Sequence, residues 1–400
     1  MAKALTLFEA RDRVLLACKG AAVAVETVPL AAAHGRVLAR PIAADTRWPS
    51  TDRAAMDGFA VAAGSAGLPA GTALPVVGES LAGHPFAGPL AKGTAIRIMT
   101  GAVVPPGADA VVAVEHTSGF GGATVELRAA VKAGQHVRPA GSELQPGTEV
   151  LAAGARLRAA EIGVLAVLGI TTVAVAKAPR VAIVATGDEV VPVEQSPLPH
   201  QVRESNSWAL AAQVAECGGI AARLGIAPDE PAGLRALLAR GLESADVLLT
   251  IGGVSAGSHD LVHGTLAGLG VQQDFHGLDL KPGKPTFFGV RGAGVRRQYV
   301  FGLPGNPAST FTVFDLLVRP LLLVLQGVAV GEWLAELPAA GAPWQPNARL
   351  QALPATVRGV AGGCVAELAP GSPSGDPFRL TAGNAYALVP GNARPGEPGT

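Results

Sequence analysis

Three runs of residues typical of buried strands, between Arg180 and Gln326, each end in a glycine-rich loop that carries polar side chains. Ligands of open parallel sheets bind outside the carboxyl ends of the strands, so these loops predict where a site lies before they indicate its chemistry. The candidate ligand-binding residues are Thr186 and Gly187 after the first run, Gly252, Gly253, Ser255 and Gly257 after the second, and Pro304, Gly305 and Asn306 after the third.

The glycine-rich loops do not match the common nucleotide-binding patterns. The segment Gly252–Gly257 has neither the G-x-x-x-x-G-K-[ST] continuation of a P-loop nor the G-x-G-x-x-G spacing of a dinucleotide fold. Its free backbone N–H groups can still hold an anion at a turn between strand and helix. In Gly302–Pro307, Asn306 could cap a helix or the loop could bind phosphate, and the spacing leaves both roles open.

Charged side chains on predicted loops indicate an anion and a divalent cation. Lys281 and Lys284 are held by prolines in the segment Lys-Pro-Gly-Lys-Pro, which favours an anion site over an ordinary surface turn. Carboxylates near a phosphate site commonly hold Mg²⁺. The candidate acids are Asp57, Asp188, Glu189, Asp229 and Asp260.

A zinc site is not supported by the histidines. His259–His263 imitates the H-E-x-x-H helix, but its central residue is Asp and no third ligand is evident. The pattern therefore argues against a zinc protease.

The elements that must position these residues alternate strand and helix from about 177 to 329, which predicts a parallel α/β sheet. Strands are expected at Val181–Thr186, 220–226, Val247–Ile251 and Tyr299–Phe301. Helices are expected after a cap at Ser205 or Asn206, from Pro231, near His259–Leu269 and from Pro307.

The remaining chain predicts three further parts around this α/β domain of residues 177–329. Residues 1–45 and 145–176 show helical spacing, with a second short helix closing at His34–Leu38. Residues 46–144 have short strands between Gly and Pro clusters, which predicts an inserted β-rich domain. Residues 330–400 again have short strands with Pro and Gly turns, which predicts a small C-terminal β domain.

Composition narrows the class of protein. The 400 residues suffice for two to four domains, and Lys plus Arg equals Asp plus Glu at 31 each, so no basic footprint for nucleic acid is present. The three cysteines form no Cys-x-x-Cys, which favours a reducing cytoplasm. No apolar run reaches the roughly 20 residues that a membrane span needs.

Six segments, taken in order, resemble the molybdopterin molybdenumtransferases (the MoeA and gephyrin E-domain family). Ser50–Ala60 is similar to the family's S-A-M-D-G-Y-A, and Arg97–Glu115 to its R-I-M-T-G-A segment. The α/β part carries T-G-D-E, G-G-V-S-x-G-x-x-D, K-P-G-K-P and G-L-P-G-N-P in the family's order. The match covers nearly the whole chain.

The resemblance implies a homodimer of four-part chains: a helical linker domain, a β-rich insert, an α/β molybdopterin-binding domain similar to MogA, and a C-terminal β-barrel. It implies a Mg²⁺-dependent reaction in which adenylylated molybdopterin and molybdate give molybdenum cofactor and AMP. A molybdopterin adenylyltransferase is an expected partner. The implied catalytic residues are Asp57 and Thr100 from a second subunit, with Glu189, Asp260, Lys281 and Lys284, and the implied Mg²⁺ ligands are Asp188, Glu189 and Asp260.

The chain departs from the family pattern at Phe59, Glu143, Glu204 and Ser258, where Tyr, Asp, Asp and Glu are common. Two rival functions stay open at this point: a non-catalytic molybdopterin carrier or scaffold, and a molybdopterin adenylyltransferase. The Asp57 and Thr100 segments argue against the adenylyltransferase, which lacks them. Molybdate and tungstate, both tetrahedral oxyanions, are not distinguished.

Overall fold

A computed structural model describes residues 4–228, 230–253, 261–331, 335–341, 345–369 and 376–393. The chain divides into two compact units. The first unit comprises Met1–Arg40, Ala153–Ile162 and Thr171–Thr400, and the second comprises Pro41–Ala152 and Gly163–Ile170. The four-part division predicted from the sequence stays a prediction.

The α-helices within the described ranges are α1 Leu7–Cys18, α2 Ala159–Val167, α3 Asn206–Glu216, α4 Pro231–Ser244, α5 Leu261–Gly268, α6 Pro307–Val313 and α7 Arg319–Leu325. A π-helical segment, Phe314–Val318, joins α6 to α7. Short 3₁₀ turns occupy Leu30–Ala32, Val114–His116, Gly294–Arg296 and Phe378–Ala382.

The strands, again within the described ranges, follow in chain order. They are β1 Val25–Pro29, β2 Ile42–Ala43, β3 Arg53–Ala54, β4 Gly58–Val61, β5 Ala73–Ser80, β6 Ala95–Ile98, β7 Ala110–Ala113, β8 Thr124–Glu126, β9 Val137–Arg138, β10 Glu149–Leu151, β11 Thr172–Ala176, β12 Arg180–Thr186, β13 Val190–Val191, β14 Val202–Arg203, β15 Ile220–Ala227, β16 Val247–Ile251, β17 Gln272–His276, β18 Leu280–Lys281, β19 Phe287–Arg291, β20 Gln298–Leu303, β21 Ala339–Gly341, β22 Leu350–Val360, β23 Gly363–Leu368 and β24 Ala385–Val389.

The central sheet of the first unit has the order β15-β12-β16-β20-β19-β17. The first four strands are parallel, as predicted, whereas β19 and β17 are antiparallel to their neighbours. The four strands predicted to be parallel are so, and two antiparallel strands that the sequence did not predict make the sheet as a whole mixed. Strand β17 is mostly exposed and polar, so it lacks the apolar run that identified the other strands.

Apolar side chains cover both faces of this sheet, because successive residues of a strand point to opposite faces. On β12, Val181, Ile183 and Ala185 join one core, while Ala182 and Val184 join the other. Helices α1 and α3 pack into the first core and α4 and α5 into the second. Burial on both faces explains why the parallel strands read as continuous apolar runs.

The helical stretch Pro307–Leu325 is the one candidate for a membrane span among the described residues. It is long and apolar enough, with a mean hydropathy of 1.7, but 67% of it is buried inside the protein. Phe314, Leu317 and Leu321 from this stretch lie in the first core, which is the behaviour of a core helix.

The second unit contains a five-stranded sheet in the order β7-β4-β6-β5-β8. Its core is built by Phe59, Val61, Ala95, Val112 and Val125, among other residues. Two short pairs, β10 with β2 and β3 with β9, complete the strands of this unit. The short strands predicted for residues 46–144 are present, among them β6, β7 and β8.

Two local features differ from or extend the predictions. The second short helix is a 3₁₀ turn at Leu30–Ala32, and its predicted end at His34–Leu38 is wrong, because Val37 and Leu38 form β-bridges. Near the C-terminus, β22 pairs with β18, β23 and β24, and β21 pairs with β23. These strands form one sheet, and the predicted C-terminal β-barrel stays a prediction.

Candidate active site

The carboxyl ends of three neighbouring parallel strands lie side by side in the first unit. Ala185 at the end of β12 is in register with Ile251 of β16, and Ile251 is in register with Leu303 of β20. The Thr186 Oγ1 donates to the Ile251 carbonyl at 3.0 Å, and the Gly252 amide donates to the Leu303 carbonyl at 3.0 Å. The three loops predicted to form a site therefore begin at one edge of the sheet.

Glycine suits the first of these loops because its backbone conformation disfavours other residues and because the Glu189 carboxylate lies where a Cβ would be. Gly187 has a φ of 126°, which disfavours other residues. A Cβ there would lie 2.7 Å from Glu189 Oε2 and 2.8 Å from its Oε1. The Glu189 carboxylate thus folds back over Gly187, with its side chain exposed to solvent.

The second loop lies against the first and against the start of α5. A Cβ on Gly252 would be 3.0 Å from Thr186 Oγ1, and a Cβ on Gly253 would be 2.5 Å from Val262 Cγ2. Both glycines have positive φ, at 81° and 65°. The loop can therefore approach Thr186 closely only with glycine at both positions.

The third loop is fixed by side chains from two helices. Asn206 at the start of α3 donates its Nδ2 to the Gly305 carbonyl at 2.7 Å. The Thr310 hydroxyl hydrogen-bonds the carbonyls of Pro304 and, at 3.1 Å, Asn306. A Cβ on Gly305 would be 3.7 Å from the Gly252 Cα, so the second and third loops lie next to each other.

The lysine loop lies in different surroundings from the three strand-end loops. Lys281 lies in β18, paired with Gln351 of β22, and precedes a cis peptide bond to Pro282. A Cβ on Gly283 would be 2.8 Å from Val313 Cγ2, so the loop packs against α6. Lys281 is half-buried and Lys284 is exposed. Among the described contacts, none joins either lysine to the three strand-end loops.

Asp57 and Thr100 are brought together in the second unit. Asp57 Oδ1 accepts hydrogen bonds from the Thr100 hydroxyl at 2.6 Å and from the Thr100 amide at 2.7 Å. These hydrogen bonds hold the pKa of Asp57 below its ordinary value because they stabilise the charged carboxylate, and the bond from the Thr100 hydroxyl has the larger effect. Both residues are exposed, so the pair can face a ligand.

Backbone hydrogen bonds join the two sequence segments that carry this pair. The Ala54 amide donates to the Ala102 carbonyl at 3.0 Å, and the Gly101 amide donates to the Ala54 carbonyl at 2.8 Å. Arg53 Nη1 donates to the Gly101 carbonyl at 3.1 Å. Two motifs far apart in sequence therefore form a single structural element, here called the Asp57–Thr100 pair.

Carboxylates that could hold Mg²⁺ are present beside the strand ends. Asp188 and Glu189 are consecutive and exposed, and carboxylate oxygens are the ligands that Mg²⁺ prefers. Within the described residues, no group of three His, Cys, Asp or Glu side chains that could hold a metal is found. The predicted third ligand, Asp260, lies outside these residues, as do Ser255 and Gly257 of the binding loop and Asp229 of the acid set.

Two residues that hold the site together were not selected as site residues from the sequence. Asn206 was expected only as a possible helix cap, yet its amide binds Gly305. Ser205 was the other expected cap, but its side chain makes no capping bond; Glu204 accepts from the Ser207 amide at 2.7 Å instead. The only signal in the sequence is that Glu204 stands where the family commonly has Asp, and this gives neither residue its contact.

The structure shows the contacts of two other residues that depart from the family pattern. Phe59 is 1% exposed and packs on Phe120 with ring centroids 5.4 Å apart, so this position is part of the core of the second unit. Glu143 forms an ion pair with Arg138. The fourth departure, Ser258, lies outside the described residues.

The chain is similar to known proteins over most of its length. The family described as MoeA N-terminal region (domain I and II) matches residues 5–169, and the family described as probable molybdopterin binding domain matches residues 182–324. The molybdopterin molybdenumtransferase of a Nostoc species is 38% identical over 309 residues, covering 76% of this chain and 70% of that protein. The enzyme of the same name from Haemophilus influenzae is 34% identical, covering 81% and 78%.

Solved structures agree with these matches. Two crystal structures of a molybdopterin biosynthesis MoeA protein from Pyrococcus horikoshii superpose with TM-scores of 0.79 and 0.82, at 30% and 28% identity. They cover 97% and 98% of this chain, and this chain covers 95% and 97% of theirs. The similarity thus includes both units and the C-terminal sheet.

Proposed function

The chain belongs to the family of molybdopterin molybdenumtransferases, and we propose that it inserts molybdate into adenylylated molybdopterin and releases AMP in a Mg²⁺-dependent reaction. The observation that carries the proposal is the convergence of the Gly187, Gly252 and Gly305 loops at one sheet edge, beside the Glu189 carboxylate. Such an edge suits a ligand with phosphate groups, because loop N–H groups there can face the anion.

Binding of the adenylylated pterin is assigned to the strand-end loops and the lysine loop. The hydrogen bond from Asn206 to the Gly305 carbonyl holds the third loop in place against Gly252. Lys281 and Lys284 supply positive charge for the pyrophosphate, and the packing of their loop on α6 limits their freedom. Pre-organised charges of this kind stabilise a reacting phosphate without reorganisation.

Asp188 and Glu189 are the described residues that would hold Mg²⁺. When bound, Mg²⁺ neutralises charge on phosphate oxygens and favours departure of AMP. The oxygen donors fit this ion in chemical type, and the exposed position leaves room for water and phosphate ligands. Asp260 stays a proposed third ligand.

The Glu189 carboxylate is proposed to move protons during insertion. Molybdate loses an oxo group as water only after that oxygen takes up two protons, and the two thiols of the pterin release one proton each. A flexible carboxylate close to the reacting groups can carry these protons. Its position over Gly187, on an exposed residue, suits this role.

The Asp57–Thr100 pair is proposed to complete the site from a second copy of the chain. The resemblance to the family supports this arrangement, and the shared hydrogen bonds keep the Asp57 carboxylate charged and oriented. We propose accordingly that the working enzyme is a homodimer. The adenylylated substrate requires a molybdopterin adenylyltransferase as its supplier, and the three free cysteines in the described residues suit the cytoplasm.

The direct test is AMP release by the purified protein. Given adenylylated molybdopterin, Mg²⁺ and molybdate, it should release AMP and form active cofactor, and AMP release should fall to background when molybdate is left out. Absence of molybdate-dependent release contradicts the proposal. Consumption of ATP on free molybdopterin would instead indicate the adenylyltransferase, and cofactor binding without turnover would indicate a carrier or scaffold.

A further inference from the structure

Glu204 is a buried carboxylate that caps α3 beside the strand-end loops. The residue is 7% exposed. Its Oε1 accepts from the Ser207 amide at 2.7 Å, and its Oε2 accepts from the Ser207 hydroxyl at 2.5 Å. A buried charged group is costly without such bonds, and the positive end of a helix dipole adds to its stabilisation.

This cap leaves the neighbouring side chains available for other contacts. A Ser or Asn at the start of a helix normally accepts a hydrogen bond from an amide of the first turn. Here Glu204 accepts that bond, and Ser205 makes no side-chain cap bond. The Asn206 amide group is turned to the third loop instead and donates to the Gly305 carbonyl.

The backbone of Glu204 is also tied to the Glu189 loop. Its amide donates to the Val191 carbonyl at 2.8 Å, and the Val202 amide donates to the Glu189 carbonyl at 2.9 Å. The backbone hydrogen bonds of the short parallel strands β13 and β14 therefore begin at Glu189 and end at Glu204. Glu204 therefore connects the loop of Glu189, the proposed proton carrier, to Asn206, which binds the Gly305 carbonyl.

We propose that Glu204 is a positioning residue for the strand-end site and acts through Asn206. The side chain holds the first turn of α3 in the orientation that lets Asn206 reach Gly305. It acts from inside the protein and not on substrate, because it is buried and both of its carboxylate oxygens bind Ser207. The inference rests on the proposed function only in that molybdopterin is taken as the ligand of this site.

A double-mutant cycle in full-length protein tests this coupling. Glu204→Ala and Asn206→Ala should each weaken binding of molybdopterin by about threefold to tenfold, the scale of one lost hydrogen-bonded anchor. If Glu204 acts through Asn206, the double variant should bind no more weakly than the weaker single variant, because residues in one network are not additive. Glu204→Gln should stay within about twofold of wild type, since its amide can keep both contacts with Ser207.

Thr6→Ala is the matched control, because Thr6 caps α1 in the same unit by accepting from the Glu9 amide at 3.2 Å. It should lower the melting temperature to a similar degree without changing molybdopterin affinity. Amide hydrogen exchange supplies a readout independent of ligand: Glu204→Ala should speed exchange across residues 303–306, and Thr6→Ala should not.

The outcomes separate this inference from the proposed function. Wild-type protein that does not bind molybdopterin contradicts the proposed function. Normal wild-type binding, combined with additive losses in the cycle or with unchanged affinity in Glu204→Ala, would overturn the positioning role and leave Glu204 as an ordinary helix cap.

Discussion

Substitution of Gly187 by Ala should disable the site through the Glu189 carboxylate while leaving the fold intact. The added Cβ would lie 2.7 and 2.8 Å from the two carboxylate oxygens. An ordinary contact needs about 3.4 Å or more, so the carboxylate must move by roughly 0.7 Å or swing away. Because its side chain is flexible and exposed, this movement costs little stability, but the proposed proton carrier leaves its place.

The magnitude has two separable parts. An L-residue at a φ of 126° costs roughly 1–3 kcal/mol of backbone strain, which lowers the free energy of unfolding. Displacement of a reacting group by about 1 Å can cost on the order of 100-fold in rate. We therefore expect kcat for molybdate-dependent AMP release to fall about 10-fold to 100-fold.

Gly225→Ala separates these two effects. Gly225 lies in β15 with a φ of 108°, and a Cβ there meets nothing within 4 Å. This variant should lose a similar free energy of unfolding in urea while keeping its turnover. Equal turnover of Gly187→Ala and Gly225→Ala would refute the reasoning.

Three further predictions concern both units. Thr100→Val removes the hydroxyl that stabilises the charged form of Asp57, so the pKa of Asp57 should rise toward its ordinary value in a carboxyl NMR titration; an unchanged pKa would contradict the assigned cause. Because that pKa is depressed in the folded protein, the stabilisation it gives is present at neutral pH and lost as pH falls through the folded-state pKa, so urea unfolding of Thr100→Val should show a weaker acid dependence. Gly58→Ala places a Cβ 1.8 Å from the Val112 carbonyl oxygen inside the sheet, so it should lower the free energy of unfolding of the second unit by about 3 kcal/mol or more, and a thermal melt like that of wild type would count against it. Glu189→Ala should abolish turnover but keep molybdopterin binding within about threefold, as checked by titration, whereas unchanged turnover would favour a scaffold or a different site.

The parallel strands and their loops could be predicted because burial on both faces of the sheet gives these strands continuous apolar runs. The predicted strand Val247–Ile251 matches β16 residue for residue, and Pro307 opens α6 as its fixed φ suggests. Strand β17 escaped prediction, since it is polar and exposed and its pairing depends on β19 rather than on its own sequence. Local composition reports burial, and edge strands have little of it.

The site could be located from sequence only in outline. The glycine loops could be located because each follows an apolar run typical of a buried strand, and the structure adds the reason for glycine at Gly253, which lies against Val262. The roles of Glu204 and Asn206 could not be predicted, because a choice between a cap within the helix and a contact with Gly305 depends on how α3 packs against α6. Tertiary contacts of this kind leave no periodic signal in the chain.

Assembly of the active site from two chains is the central claim, and complementation between defective subunits tests it most directly. Glu189→Ala and Asp57→Asn chains with different affinity tags would be co-expressed, and the mixed dimers purified through both tags. If each site takes Glu189 from one chain and Asp57 from the other, a mixed dimer keeps one intact site and should show about half of wild-type molybdate-dependent AMP release. A dimer pairing wild type with a chain that carries both substitutions should then be inactive. The reverse pattern, with inactive mixed dimers and about half of wild-type activity in the second pairing, would contradict the claim.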